Sequence, residues 1–156
     1  MPFDLSGRMK VFGLDAATVD LVRAERERLL PQLDDVVAAY YSHLEDGEFG
    51  DLLRSRPLED LKALRTAHWR LLIECDFDAI HDHYMRHLGP RLVDGGFPRS
   101  IFVIAAEWFA LGFTRIVDEA RDLTESRRNA LRGALLKIAF LDLALSDAPR
   151  DFALLD

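Results

Sequence analysis

Three features of the sequence predict an all-α, single-domain fold. Apolar residues recur at spacings of three and four along nearly the whole chain, no strand-length alternation interrupts them, and most prolines and glycines fall where those periodic segments end. The 156 residues, 49% of them hydrophobic, suffice for one domain with a real core and are too apolar for global disorder. No internal repeat or low-complexity run is visible.

The elements follow in order. Asp15 and Thr18 suit the cap of a first helix running to about Leu30, with the charge-rich RAERER as its solvated face. Pro31 fits the opening turn of a second helix, QLDDVVAAYYSHLE, where Leu33, Val36, Val37, Tyr40, Tyr41 and Leu44 line one side. Gly47 and Gly50 loosen the chain into a connector that ends near Pro57. A third helix starts at Leu58, with Glu59 and Asp60 at its positive end and Leu58, Leu61, Leu64, His68, Leu71 and Leu72 as its stripe. The helix from Asp78 is expected to stop or kink near Leu88 and Gly89, because Pro90 lacks a backbone donor and disfavours helix before it. Pro98 opens a long helix to about Ala120, and a last helix runs from Thr124 to about Ser146. Both are apolar on more than one side, as helices sandwiched in a core or packed on another subunit must be.

Charge and composition narrow the function. Twenty Lys and Arg against 27 Asp and Glu give a net charge of −7, which disfavours a non-specific grip on nucleic acid. A single cysteine, Cys75, fits a reducing compartment. The N-terminus carries no secretory pattern, and the nearly apolar run Ala134–Leu145 is too short to span a membrane. A cytoplasmic protein is expected, with neither nucleic acid nor membrane as partner. No phosphate loop, nucleophile elbow or activated thiol stands out, so no catalytic residue is assigned and an enzyme is not expected.

Several fragments, taken together, are more specific than any alone. VVAAYYSHL is followed by LKALRTAHWRLL, then DFD before a helix, then LG and GGFPR, and finally LLKIAFLDLAL. Their order and spacing, from about Arg8 to Ala148, resemble the protoglobin-like sensory domain of globin-coupled sensors, a globin family that includes aerotaxis transducers and haem-regulated cyclases and kinases. The resemblance implies one sensory globin domain over 1–156, with residues 1–13 as a leader and 147–156 as a tail. It implies an extra N-terminal helix, a reduced D helix and a homodimer formed through the last two helices. Trp108, Phe109, Phe113, Leu135, Ile138 and Leu145 are expected to carry more apolar surface than one subunit hides. It further implies haem b as cofactor, a diatomic gas as ligand and an effector domain or bacterial signalling partner as output.

In that family a histidine of the F helix holds the iron and a tyrosine late in the B helix contacts bound oxygen. Tyr41 falls at the tyrosine position. Aligning Leu88–Gly89 with the family's Ile-Gly places the iron ligand at Leu92, whereas counting back from Pro98–Arg99 places it at Arg91. Neither side chain can ligate iron. His87, one turn before Arg91, is the candidate for a displaced axial ligand. His68 matches a His-Trp pair of the family's E helix that does not bind iron, and on an apolar stripe it reads as a hydrogen-bonded core histidine.

Two versions of the function stay open. In one, His87 keeps the haem, Tyr41 covers its distal face and the signal is a gas. In the other, haem is lost, Phe49, Phe77, Phe97 and Phe102 fill its space, and the domain senses a small molecule or partner. A reading of another class takes His83 and His87, four apart on one helix face, as ligands of a catalytic metal ion.

Overall fold

The computed structural model describes residues 4–153, with side chains through Ser146. Each helix among them begins and ends for a local reason. Helix α1 (Leu5–Val11) lies inside the expected leader and is capped by Asp4, whose carboxylate accepts from Gly7 N at 2.9 Å. Helix α2 (Ala16–Ala24) is capped the same way by Asp15, which accepts from Thr18 N at 2.8 Å.

The first long helix expected from the sequence is broken at Glu25. There the backbone leaves helical geometry, and the short α3 (Arg26–Leu29) runs into a 3₁₀ turn over Leu30–Gln32 that contains Pro31. The break turns the Glu25 carboxylate toward Arg127, at 2.7 Å, and Arg28, at 3.2 Å. Helix α4 (Leu33–Glu45) buries Leu33, Val37, Tyr40, Tyr41 and Leu44, nearly the stripe its spacing predicts. The expected connector folds into a short α5 (Gly50–Arg54) before α6 (Leu58–Ile73).

Helix α6 ends in a left-handed residue, Cys75 at φ 56°, and Asp76 N returns to Leu71 O as in a Schellman closure. Arg23 of α2 donates to the carbonyls of Glu74 and Cys75 and so covers that helix end.

Pro90 does not stop the next helix. Helix α7 (Phe77–His83) passes into a π-helical turn over Tyr84–Leu88 and then into α8 (Gly89–Asp94). In an unbroken α-helix the proline ring would meet the carbonyl four residues back; the wider turn takes up the mismatch without ending the helix. Gly89 is required at the seam, since a Cβ there would lie 2.9 Å from Tyr84 O and 3.1 Å from the Tyr84 ring.

Helix α9 (Ser100–Glu119) and α10 (Glu125–Ala153) make the most extensive contact in the molecule, and α10 carries on past the expected end at Ser146. Thr124 Oγ1 caps α10 by accepting from Arg127 N. By length and composition α9 is apolar enough to cross a membrane, more so than the Ala134–Leu145 run; half of that stretch is buried inside this fold. The core runs between α4, α6, α9 and α10, with Trp69 stacked on Phe109 at 4.6 Å and Tyr40 against Phe109 at 5.2 Å.

Candidate functional site

The inner faces of α4, α6, α7 and α10 bring polar groups together inside the core. Arg65 and His68, three residues apart on α6, point to the same side, and both are almost fully buried. His68 Nε2 meets Asp142 Oδ1 of α10 at 2.5 Å, with both side chains out of solvent. Ser146, one turn on, donates to Asp142 O at 2.9 Å. The His68 ring lies 5.6 Å from the His83 ring and 6.4 Å from that of Tyr84. Arg65 carries its guanidinium 5.7 Å from the centre of the Tyr40 ring.

The electrostatics follow from this packing. Burial works against the charge of Arg65, while the Tyr41 and Tyr40 hydroxyls and the Asp142 carboxylate favour it, and the net direction is up. Burial raises the Tyr40 hydroxyl well above its ordinary range, so it stays a proton donor. His83 is pushed down to about 4, first by burial and then by the positive charge that His68, His87 and Arg65 bring; it is neutral at physiological pH.

The residues singled out in the sequence divide between interior and surface. Tyr41 is buried and donates from its hydroxyl to Leu61 O at 3.3 Å. Phe49 is buried, 6.4 Å from Phe97, while Phe77 and Phe102 are also in the core. Leu92 is buried on the inner side of α8, beside Leu88 one turn earlier. His87 and Arg91 both lie on the exposed side. Within the π turn Tyr84 and Leu88 face in and His87 faces out, and in α8 Leu92 faces in and Arg91 out. The His83 and His87 rings are 5.3 Å apart, and no group of three or more metal-ligating side chains is arranged around an ion among the described residues.

Sequence reasoning missed Arg65 and Asp142. Each leaves a signal: a charged residue inside an apolar stripe, Arg65 in LKALRTAHW and Asp142 in LLKIAFLDLAL. Charge at a core-facing position is rare unless it is paired.

A profile of the protoglobin family matches residues 2–149. The chain belongs to the protoglobin family. No curated protein matches it closely enough to count as a relative. The protoglobin assignment makes the all-helical architecture a globin fold and the domain one of a sensor and oxygen-binding globin class that typically binds haem. In this protoglobin the residues do not fit the family's arrangement. Of the two positions the sequence offers for the iron ligand, Leu92 faces inward and has no lone pair, while Arg91 faces out; His87 also faces out, and the charged Arg65 occupies the interior.

Proposed function

We propose that this protoglobin is the signal-input domain of a homodimeric sensor and works without conventional haem ligation. The observation that carries the proposal is the placement of Leu92 inward and His87 outward on the helix that supplies the iron ligand elsewhere in the family. For His87 to reach the interior, the π turn and the segment after it would have to rotate and expel Leu88 and Leu92 from the core. The filled interior supports the same reading. Tyr40, Trp69, Phe109, Leu88 and Leu92 are all buried in one packed core.

A signal from such a domain would leave through α9 and α10, toward an effector domain or a partner protein. The residues expected at a dimer face need correcting. Phe109, Phe113, Leu135, Ile138 and Leu145 are all hidden within one subunit, and Trp108 is half-buried against His43. The apolar surface left for a partner is instead Val103 and Leu111 on α9 with Leu136 and Phe140 on α10.

Haemin titration followed by absorbance tests the reading. The expected result is a spectrum no different from free haemin. A sharp Soret band that responds to reduction and carbon monoxide, and disappears in His87→Ala, would establish the alternative, a gas sensor with a relocated ligand under Tyr41.

A further inference from the structure

Arg65 is 2% exposed, and its Nε and Nη2 groups have no hydrogen-bond partner among the described residues. These two N–H groups lie on the same edge of the guanidinium and point in parallel, the geometry that pairs with two oxygens of one carboxylate. The carboxylate acting on Arg65 from inside the protein, Asp142, is committed to His68 at 2.5 Å. Buried guanidinium charge is ordinarily matched by an anion. Water at the free edge would satisfy the N–H groups but add no negative charge beyond what Asp142 supplies without a hydrogen bond.

We propose that the free edge of Arg65, between α4 and α6, binds a small planar oxyanion: a carboxylate or an inorganic anion of the same shape. The site rests on the reading that haem does not occupy this interior. Its surroundings add donors. The Tyr40 hydroxyl is buried without a partner, its ring 5.7 Å from the guanidinium carbon. The neutral His83 ring keeps a buried Nδ1 without a partner, which donates in its Nδ1–H tautomer. The cluster therefore offers several N–H and O–H donors against one internal carboxylate. The guanidinium edge is out of solvent, so the smallest planar oxyanions, formate and nitrate, are the probes matched to it.

An anion at this edge would touch α6 and α4 directly and would change the field felt by the His68–Asp142 pair, and so reach α10. That gives the domain an input that needs no metal.

The test uses the full chain without haem, on a preparation whose haemin titration has been recorded, so the two proposals fail separately. Unfolding midpoints are measured against sodium formate and sodium nitrate, with sodium chloride at matched ionic strength as reference. The expected result is a saturable rise above the chloride reference, with a downfield shift of the Arg65 Nε–H resonance. Arg65→Met abolishes the response, and Arg65→Lys, which keeps the charge and loses the fork, weakens it at least tenfold. Response to formate alone identifies an organic carboxylate, to nitrate alone an inorganic anion, and to both the shared planar geometry. A midpoint that tracks chloride, an unmoved Nε–H resonance, or a response retained in Arg65→Met overturns the proposal. The resonance is read in the unsubstituted protein, so it decides the matter even where the Met variant fails to fold.

Discussion

His68 and Asp142 illustrate how a single pair of side chains can commit a protein interior. Both are buried, and His68 Nε2 is bonded to Asp142 Oδ1. Asp142→Ala is expected to cost about 1–3 kcal/mol, because it strands a buried imidazole, whereas Asp142→Asn keeps an acceptor and costs less; urea unfolding of the two variants measures the difference. The histidine next to this pair gives a pH dependence with a definite sign. His83 is held at about 4 in the folded protein against an ordinary 6.5, so the unfolded chain takes up a proton that the folded chain refuses. Stability is present above about 6.5 and is lost as pH falls toward 4. With solvent screening of a half-buried ring the effect is about 1 kcal/mol, and His83→Gln is expected to flatten the profile. Burial also pushes the Cys75 thiol up to about 11, outweighing nearby Arg23. Iodoacetamide at pH 8 should modify it on the order of a hundredfold more slowly than a free thiol; a rate equal to that of the unfolded protein would contradict this placement. At this scale the sequence was only partly legible. The spacing of Tyr40, Tyr41 and His68 put them on core faces, but the partner of His68 lies 74 positions away and no local pattern links the two.

The elements were easier to foresee than their joints. Helices α4, α6, α9 and α10 each have periodic apolar faces long enough to identify, and their starts follow prolines, acidic residues or Thr124. The break at Glu25 was hidden because its cause is tertiary: the carboxylate turns to meet Arg127, 102 positions away. Pro90 predicts a stop or a kink, and the stop does not occur. It signals a helix end by its local chemistry, yet the chain accommodates it by widening one turn. Gly89→Ala tests that account, since the added methyl would collide with Tyr84 O, a backbone atom that cannot swing aside. Loss of about 1–3 kcal/mol is expected, read as a lower thermal midpoint; an unchanged midpoint would mean that the turn relaxes freely.

The globin fold follows from this element order and from the pairing of α9 with α10, which periodicity alone could suggest but not orient. Ion pairs hold the rest of the shell to that pairing: Arg28 reaches Asp122 at 2.5 Å, and Arg127 reaches Glu25, so the α2–α3 joint is tied to the corner between the last two helices. Sequence reasoning recognised that α9 and α10 carry surplus apolar surface and chose the wrong side chains for it. Hydrophobicity does not distinguish Phe113, fully buried, from Phe140, 55% exposed. The proposed dimer is therefore tested at the exposed set. Phe140→Asp, and separately Leu136→Glu, are expected to give monomers by sedimentation at micromolar concentration where the unsubstituted chain is dimeric.

The position of Asp142 also limits how α10 can move. It is a carboxylate on the inner face of a long helix, fastened to an imidazole whose own helix is fixed by its packing. Sliding α10 along its axis by one residue, about 1.5 Å, or turning it about that axis, would carry the carboxylate out of hydrogen-bond reach of His68. Tilting about that point preserves the contact. The pair thus behaves as a pivot, and motion passed along the last helix is constrained to be angular, largest at the end farthest from the pin.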